Sequence, residues 1–370
     1  MRVLITGGLG FIGTQLCRSL TRAGHDVVII DSMTVQVHGD NPSIALPDGA
    51  KMVRLDVRDI HERADLLDGV DIVYHLAAET GTAQSMYQIQ RYVDVNERGT
   101  AALLEAIARC TNRPRKVILT SSRSVYGEGA FVDAAGAIVQ PVPRTREQLD
   151  ANHWEPRDAT GAPLRAIATP ETLPFAPGSI YAATKASQEL LLNAASQALN
   201  FNAITLRLQN VYGAGQSLQN PYTGIISIFF NRARQGLMLP IYEDGKETRD
   251  FVHVEDVVAG LMAAMTNDVP SGTICNIGSG IATPVDELAR QLLRAGGLDV
   301  PIKVTGQFRV GDIRHNFADI SRARALLGFT PQVSLADGLA RFCAWAESEP
   351  IYADGLDKAT AELKAKGLAN

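Results

Sequence analysis

Short apolar, β-branched runs alternate along much of the chain with longer stretches in which apolar residues recur at helical spacing. Continuous apolar runs indicate strands that are covered on both faces, as in a parallel sheet. The runs that predict strands cover residues 3–6, 26–30, 52–55, 72–76, 116–120, 203–208 and 273–277. Because helix-length segments separate the earlier runs, the pattern predicts an α/β fold with a doubly wound parallel sheet.

The alternation breaks at two places. Prolines accumulate among polar residues between 128 and 178, which predicts a long insertion. Beyond residue 210 the pattern is mixed, with helices expected over 224–236 and 285–295. We therefore predict a sheet domain from residues 1–210 and 250–277, and a smaller, interleaved α/β domain from 211–249 and 278–345. Residues 346–370 form a C-terminal tail rich in Ala, Lys, Glu and Leu, typical of a solvated surface helix.

Charge and cysteine content exclude several classes of function. The 35 Lys and Arg residues against 40 Asp and Glu residues give a net charge of -5, which disfavours nucleic acid as a partner. The four cysteines are scattered without a CxxC pair, so neither a metal site nor a disulfide framework is expected. The first strand begins at the N-terminus without a leader, and no apolar run is long enough to span a bilayer. We expect a soluble, cytoplasmic protein with no membrane partner.

A glycine-rich turn follows the first strand. Gly7, Gly10 and Gly13 frame Phe11 and Ile12 immediately before a helical stretch. Glycines at this spacing permit a tight turn, close approach of the backbone to a pyrophosphate, and close packing of the helix on the strand. The helix N-terminus adds a favourable field for phosphate. The alternative is a glycine-rich turn with a structural role only.

Acidic residues at strand ends refine this prediction. Asp31 closes the second strand, where a carboxylate can accept hydrogen bonds from the ribose hydroxyls of an adenosine and would repel a 2′-phosphate. NAD is thus predicted as the cofactor in preference to NADP. Asp56 and Val57, at the end of the third strand, are candidates for holding the adenine, although an isolated Asp in this place is often a helix cap.

A tyrosine and a lysine provide the candidate catalytic pair. Tyr181 and Lys185 lie four residues apart in a helix-forming segment, so one turn brings them to the same face. A nearby ammonium favours the phenolate, which enables Tyr181 to exchange a proton with a sugar hydroxyl. Ser122 ends the strand that precedes the insertion and can hydrogen-bond the same hydroxyl. The carboxyl edge of a parallel sheet is where ligands bind.

These motifs occur together in a diagnostic order. The chain carries the glycines at 7, 10 and 13, Asp31, His75-Leu76-Ala77-Ala78, Asn96, the segment Ser-Ser-x-x-Val-Tyr-Gly at 121–127, the pair Tyr181 and Lys185, and Leu-Arg-Leu-Gln-Asn-Val-Tyr-Gly at 206–213. This order resembles the extended short-chain dehydrogenase/reductase family, and within it the NAD-dependent nucleotide-sugar epimerases and dehydratases. Gln209 departs from the family pattern, because many relatives carry an aromatic residue there.

The resemblance implies a Rossmann-type NAD-binding domain, a smaller substrate-binding domain and a homodimer. It implies Ser122, Tyr181 and Lys185 as the catalytic set, with the last two also touching the cofactor. It places further cofactor-binding residues at Leu76, Ala77, Ala78 and Asn96.

The predicted partner is a nucleotide-diphosphate sugar. Guanidinium groups suit a diphosphate, so Arg249 and Arg309 are candidate clamps, with an ordinary surface salt bridge as the alternative. Asn220 and Tyr222 resemble the part of such enzymes that packs on the base. Further candidate substrate contacts are Ser122, Arg123, Asn210 and Asp312. His75 and His253 lack ligand spacing and are expected to be structural.

The choice of reaction depends on two positions. Sugar-nucleotide 4,6-dehydratases resemble this chain but typically carry an Asp-Glu pair directly after the catalytic Ser or Thr. Here those positions are Arg123 and Ser124, which favours 4-epimerisation through a transient 4-keto sugar. Residues 31–39, 154–156, 216–224 and 311–315 together resemble the dTDP-L-rhamnose 4-epimerase group, which implies interconversion of dTDP-L-rhamnose and dTDP-6-deoxy-L-talose. A 4,6-dehydratase, a 4-keto reductase and a non-catalytic NAD-sensing regulator are the alternatives. Base, sugar and the role of the insertion stay open.

Overall fold

The computed structural model describes residues 1–39, 46–220, 222, 224–309 and 311–370. Pro221, Thr223 and Val310, within the segments expected to contact the substrate, fall outside the described residues. The strands are β1 (Arg2–Thr6), β2 (Asp26–Asp31), β3 (Ala50–Arg54), β4 (Ile72–His75), β5 (Lys116–Ser122), β6 (Phe131–Val132), β7 (Ile138–Val139), β8 (Arg165–Ala166), β9 (Asn202–Leu208), β10 (Asn210–Tyr212), β11 (Leu239–Ile241), β12 (Thr248–Arg249), β13 (Phe251–His253), β14 (Thr273–Ile277), β15 (Thr283–Pro284), β16 (Ile302–Val304) and β17 (His315–Asn316).

The helices are α1 (Phe11–Arg22), α2 (Val35–His38), α3 (Thr82–Ser85), α4 (Ile89–Tyr92), α5 (Gly99–Arg109), α6 (Arg146–Asp150), α7 (Ile180–Leu199), α8 (Ile225–Arg234), α9 (Val254–Thr266), α10 (Val285–Ala295), α11 (Ser321–Leu327), α12 (Leu335–Glu347) and α13 (Leu356–Ala365). Short 3₁₀ segments cover Val57–Leu66 and Arg123–Tyr126, and a π-helical turn covers Val93–Arg98. Within the described ranges, no helix has the length and apolar character that crossing a bilayer requires.

A parallel sheet forms the centre of the molecule. Among the described residues its seven strands run in the order β14-β9-β5-β4-β1-β2-β3, and every neighbouring pair is parallel. The predicted doubly wound α/β fold is confirmed. The connections change direction between β1 and β4, and the crevice at such a switch point is where open α/β sheets bind their ligands. Asp31 and Ser122 end their strands at this carboxyl edge.

Helices cover both faces of the sheet, which explains the apolar runs in the sequence. Leu4 and Ile5 point to opposite faces of β1, and each is 0% exposed. Ile5 packs with residues of α1 and α9, whereas Leu4 packs with residues of α5 and α7. Adjacent positions in β1 are therefore buried by different helix layers, so the strand needs no polar alternation.

The smaller domain has its own core between α8, α10 and α12. Phe229, Leu288 and Phe342 are buried there together. Residues 321–327, which fall within the predicted smaller domain, form α11, and Ala323 and Leu327 of this helix join the cluster around β14 and α9. The chain thus returns to the first core after contributing to the second.

The insertion and the tail are more ordered than the sequence indicates. In the insertion, β6 pairs antiparallel with β7 and with β8, and α6 follows β7. The tail was expected to be a solvated surface helix; a helix forms there with Asp357 and Lys358 exposed, but one side of it is buried. Leu356, Ala359 and Leu363 of α13 are only 6%, 3% and 2% exposed. The three buried residues share one side of the helix, so α13 has a buried apolar face and an exposed polar one.

Candidate active site

A large cavity of about 750 Å³ runs along the carboxyl edge of the sheet. Its volume lies within the range of roughly 300–1,000 Å³ that is usual for small-molecule and cofactor sites. Its lining includes most of the residues that the sequence singles out, namely Gly7, Gly10, Phe11, Ile12, Gly13, Asp31, Asp56, Val57, Leu76, Ala77, Ala78, Ser122, Tyr181, Lys185, Asn210 and Asn220. The fold thus brings the glycine-rich turn and the Tyr-Lys pair to one cavity.

The glycine-rich turn is shaped to admit a phosphate group. Gly7 has φ +68, and a Cβ there would lie 2.7 Å from the backbone nitrogen of Ala77. A Cβ on Gly13 would lie 2.5 Å from the Gly7 carbonyl oxygen. Gly10 is the N-cap residue of α1, and in the described part of the chain no side chain caps the helix there. The first N–H groups of α1 are thus available for a pyrophosphate, as NAD requires.

Asp31 supplies the carboxylate expected for an adenosine ribose. Its Oδ2 accepts a hydrogen bond from the Leu9 N–H at 3.0 Å, and its Oδ1 accepts one from the Met33 N–H at 2.9 Å. Burial raises the pKa of Asp31, but hydrogen bonds from His38, Met33 and Leu9 outweigh it and lower that pKa. The side chain is therefore an anion at neutral pH. It suits a ribose diol and opposes a 2′-phosphate.

Asp56 acts as a helix cap, the structural alternative to binding adenine. Its side chain caps the 3₁₀ segment by accepting from the Arg58 N–H at 2.9 Å, and it also pairs with the Arg58 guanidinium at 2.7 Å. Asp56 and the adjacent Val57 still line the large cavity beyond Asp31. Both the cap and a contact with the adenine end of a dinucleotide are thus compatible with its position.

The first turns of α7 place the candidate base. Ser179 caps the helix by accepting from the Ala182 N–H, so Tyr181 and Lys185 lie on successive turns facing the cavity. Burial raises the pKa of Tyr181, while Ser122 and Arg123 oppose that shift. Burial lowers the pKa of Lys185 to about 8. Proton exchange by Tyr181 therefore depends on the groups around it.

Hydrogen bonds fix the neighbours of this pair. Lys185 Nζ donates to the Thr120 carbonyl oxygen at 3.0 Å, which holds the ammonium against β5. Ser122 Oγ accepts from the hydroxyl of Ser124 at 3.0 Å. The serine that ends β5 is thus held by the next turn of chain, next to Tyr181, where its hydrogen bond opposes the rise that burial causes in the pKa of Tyr181.

Asn96 differs from its expected position. Its Nδ2 donates to Thr184 Oγ1 at 2.9 Å, and its Oδ1 accepts from the Glu79 N–H at 2.8 Å. Within the described residues it is fully buried and is not part of the cavity lining. Asn96 therefore joins the loop after β4 to α7 and shapes the cavity wall from behind. A π-helical turn at this point agrees with a functional location.

A small cavity of about 260 Å³ adjoins the large one. Asn210 and Gly224 line both cavities, so the two share part of one wall. The predicted substrate residues on the small cavity are Arg123, Asn210, Tyr222, Arg249, Arg309 and Asp312. Asn220 lies on the large cavity instead. The fold thus brings together residues that are far apart in sequence: Arg123 of the 3₁₀ segment after β5, Arg249 of β12, and Arg309 and Asp312.

The two candidate arginine clamps are held differently. Arg249 Nη2 lies 3.2 Å from Asp312 Oδ1 and donates to the Ile313 carbonyl oxygen at 2.6 Å. Arg309 stacks over the Tyr242 ring, with its guanidinium carbon 4.8 Å from the ring centroid. No carboxylate within the described residues pairs with Arg309 at salt-bridge distance. Its charge is therefore more available to a phosphate than that of Arg249.

Charged residues of the insertion brace this arginine-rich loop. Arg144 Nη2 donates to the Asp312 carbonyl oxygen at 2.8 Å, and its Nη1 pairs with Glu243 at 2.8 Å. Arg314, whose side chain is 1% exposed, pairs with Glu155 of the insertion at 2.6 Å. The insertion therefore packs directly behind the small cavity. The sequence shows these charges but not their partners, because the pairs join distant parts of the chain.

Sequence reasoning missed several residues that line the small cavity, among them Tyr242, Glu247 and Leu356. Burial raises the pKa of Glu247 to about 7, although Arg249 opposes the shift. Glu247 lies two residues before Arg249, so extending the 248–254 segment towards the N-terminus would have included it. Leu356 belongs to the tail and carries no local signal.

The two histidines have structural contacts. His75 Nδ1 lies 2.8 Å from Thr6 Oγ1 and its Nε2 lies 2.8 Å from Thr100 Oγ1, while burial lowers its pKa to about 3. His253 caps α9 by accepting from the Glu255 N–H. In the described portion of the chain, no group of three His, Cys, Asp or Glu side chains is arranged to hold a metal ion.

Comparison with known proteins narrows the chemistry. The sequence profile of the NAD dependent epimerase/dehydratase family matches residues 3–278. A dTDP-L-rhamnose 4-epimerase of Burkholderia thailandensis is 41% identical over 94% of this chain and 95% of its own length. A dTDP-glucose 4,6-dehydratase of Streptomyces griseus is 30% identical over 93% of each chain. The crystal structure of a UDP-glucuronic acid 4-epimerase from Bacillus cereus, in complex with UDP-glucuronic acid and NAD, superposes with a TM-score of 0.76 at 27% identity, covering 94% of this chain and 99% of that one.

Proposed function

Because the chain belongs to the NAD dependent epimerase/dehydratase family, we propose that it inverts C4 of a nucleotide-diphosphate sugar through a transient 4-keto form. Family membership confirms the resemblance drawn from the motifs, and it confirms NAD as the cofactor. The glycine turn and Asp31 at the large cavity fit that cofactor. The chain is thus a nucleotide-sugar enzyme of this family, and the C4 inversion is our proposal.

Each catalytic residue of the large cavity is proposed to have a separate role in the oxidation and reduction of C4. NAD, when bound, supplies the acceptor and donor of the C4 hydride. Tyr181 takes the proton from the sugar O4 and later returns it. Ser122 hydrogen-bonds the same oxygen, and the Lys185 ammonium favours the Tyr181 phenolate. The pair shares one helix face on the cavity, as this division requires.

The two residues after Ser122, Arg123 and Ser124, favour epimerisation over dehydration. Elimination of water across C5 and C6 needs a base and an acid beside the oxidised sugar. Arg123 lies at the junction of the two cavities, and its Nε donates a hydrogen bond to Asn210 Oδ1 at 3.0 Å. The Ser124 hydroxyl donates a hydrogen bond to Ser122 Oγ. A guanidinium and a serine hydroxyl cannot act as that pair at neutral pH. This observation is the one on which the proposal depends.

The small cavity is proposed to hold the nucleotide diphosphate. Arg309 and Arg249 offer guanidinium groups to the phosphates, and Asp312 offers a carboxylate to a ribose. Tyr222 is proposed to pack on the base, with Asn220 beside it. Anchoring by the diphosphate allows the 4-keto sugar ring to rotate in the large cavity and to present its other face to the hydride.

The proposed substrate pair is dTDP-L-rhamnose and dTDP-6-deoxy-L-talose. This assignment is supported by the 41% identity with a dTDP-L-rhamnose 4-epimerase over nearly the whole chain. Among the described residues that line the small cavity, none by itself selects thymine over uracil. The proposal therefore depends on the relative for the sugar and on Arg123 and Ser124 for the reaction.

A panel of dTDP-, UDP- and GDP-sugars, with products identified by NMR, tests the proposal. We expect interconversion of a 4-epimer pair without added cofactor, fastest with the dTDP-sugars. Loss of one water from the product would establish a 4,6-dehydratase. Consumption of NADH or NADPH in proportion to product would establish a 4-keto reductase. Absence of turnover with every sugar nucleotide, despite bound NAD, would favour a non-catalytic NAD sensor.

We also propose that two copies of the chain associate in a reducing cytoplasm. Leu190 and Leu191 on α7 are 60% and 36% exposed, and an apolar pair on a helix surface suits contact with a second copy. Cys17, Cys110, Cys275 and Cys343 are free, buried thiols. Light scattering should give the mass of a dimer, which Leu190→Glu should reduce to that of a monomer.

A further inference from the structure

The C-terminal strap, residues 351–370, lies against the small cavity. Leu356 is one of the residues that line the cavity, and it is 6% exposed. Thr360 Oγ1 lies 3.2 Å from the hydroxyl of Tyr242, a second lining residue. The strap therefore forms part of the wall of the cavity that we assign to the nucleotide.

One carboxylate of the strap joins both sides of this cavity. Glu362 Oε2 accepts a hydrogen bond from the Tyr222 hydroxyl at 2.8 Å and another from the Tyr87 hydroxyl at 3.3 Å. Tyr222 belongs to the smaller domain and lines the cavity. Tyr87 follows α3 in the sheet domain, where Thr82 and Ala83 line the same cavity from the other side. Glu362 thus holds a cavity tyrosine through a charge-assisted bond.

Further contacts fix the strap in this position. Lys366 Nζ lies 4.8 Å from the centroid of the Tyr87 ring, a cation–π contact next to the Glu362 bond. At its start, Asp357 pairs with Arg232 of α8 at 3.2 Å. At its end, Asn370 Oδ1 accepts from the Phe308 N–H at 2.7 Å. The strap is therefore attached before, at and after Glu362.

We infer that the strap is a working part of the nucleotide site and that Glu362 is a positioning residue that orients Tyr222 against the base. The inference rests on the proposed function, because it takes the ligand to be a nucleotide-diphosphate sugar. Without the carboxylate, the Tyr222 phenol loses its acceptor and its fixed orientation. Since Glu362 does not line the cavity, it acts on binding through Tyr222 and not on the reacting atoms.

The test uses the full chain and three variants. Glu362→Leu removes the acceptor, and Glu362→Gln keeps one acceptor oxygen. Glu347→Leu changes an exposed glutamate of α12 and serves as the control. Initial rates with dTDP-L-rhamnose should give a KM raised about tenfold in Glu362→Leu, with kcat within about twofold, because the charge-assisted hydrogen bond that orients Tyr222 is lost together with the weaker one from Tyr87. Glu362→Gln should recover most of the affinity, and Glu347→Leu should match the wild type.

Binding of dTDP alone, measured by calorimetry, is the second readout. It should weaken about as much as KM rises in Glu362→Leu, while the bound NAD content stays unchanged. An unchanged dTDP affinity in Glu362→Leu would overturn the inference, as would a fall in kcat with no change in KM. Tyr87→Phe, which keeps the Tyr222 bond, should weaken dTDP binding less than Glu362→Leu does. A larger effect of Tyr87→Phe would assign the role to Tyr87 instead and overturn our assignment.

The two proposals fail in different ways. If the wild type converts no nucleotide sugar, the proposed function fails, and the dTDP affinities of the Glu362 variants still decide the role of the strap. If the wild type is active and Glu362→Leu binds and turns over normally, only the strap inference fails.

Discussion

Arg123 Nε donates a hydrogen bond of 3.0 Å to Asn210 Oδ1 at the junction of the two cavities. Burial, with help from Arg249, lowers the pKa of Arg123 to about 10, so the side chain stays a cation at neutral pH. A cation in this place stabilises negative charge on a bound substrate but cannot remove a proton from carbon. Arg123 and Asn210 can therefore bind the substrate but cannot act as a base towards C5. This agrees with a reaction in which only C4 is oxidised and reduced.

Tyr181→Phe should fold, retain NAD and lose activity by a factor of roughly 10²–10⁴, the usual contribution of a general acid–base group. The ring still packs at the start of α7, but the proton acceptor for the sugar O4 is gone. Steady-state rates and the absorbance of bound cofactor after denaturation are the measurements. Turnover close to that of the wild type would remove Tyr181 from the mechanism.

Purified protein should carry NAD and should need none added. Because Asp31 is an anion beside the expected ribose, NADP should bind at least about tenfold more weakly than NAD. Asp31→Asn should narrow this preference, since the charge that repels the 2′-phosphate is removed. Competition binding to the cofactor-free protein provides the measurement, and tighter binding of NADP than of NAD by the wild type would refute the role of Asp31.

Lys185 makes stability depend on pH in a defined direction. Its pKa is lowered from 10.5 to about 8 by burial, so between these values the unfolded chain binds more protons than the folded one. The contribution of Lys185 to the free energy of unfolding therefore rises with pH between about 8 and 10.5. Relative to Lys185→Met, the wild-type free energy of unfolding should increase by about 2–3 kcal/mol between pH 7 and pH 10.

Urea denaturation of both proteins at the two pH values, with equal NAD present, gives the four free energies needed. Titrating groups that the proteins share cancel in the comparison. A difference between wild type and Lys185→Met that stays constant with pH would show that the Lys185 amine keeps its ordinary pKa.

Arg309→Ala should raise KM by roughly 10- to 100-fold and change kcat little, if the guanidinium grips the diphosphate equally in the ground and transition states. Arg309 packs on the Tyr242 ring. Its replacement by alanine should therefore remove contacts with the phosphates without breaking an ion pair that stabilises the fold. Arg324→Ala, on the exposed side of α11, is the matched control. An unchanged KM in Arg309→Ala would place the diphosphate elsewhere.

Local signals in the sequence were sufficient for the sheet and the cofactor side of the site. The strand Thr273–Ile277 and the helix Val285–Ala295 have the predicted bounds. Gly7 and Gly13 were identified from their spacing after the first strand, and in the fold a Cβ at either position would meet backbone atoms. These features depend on neighbours in sequence or on a turn with fixed geometry, and such features are readable from one chain.

Features that depend on distant partners were not predictable. The tail appeared solvated, yet Glu362 finds Tyr222 and Tyr87 far upstream. The insertion appeared irregular, yet Arg144 reaches Glu243 and the Asp312 carbonyl oxygen. Nothing in the local pattern of charges specifies such pairs, because the folded chain alone decides which charges meet.

Deuterated water provides the most direct test of C4 epimerisation. If only C4 is oxidised and reduced, its hydrogen travels as hydride to NAD and back without meeting solvent. The product should then be a 4-epimer that carries no deuterium on carbon once the hydroxyl deuterons are washed out, as mass spectrometry and NMR will show. Deuterium at C3 or C5, or a product lighter by one water, requires proton abstraction beside the keto group and would contradict the account based on Arg123 and Ser124.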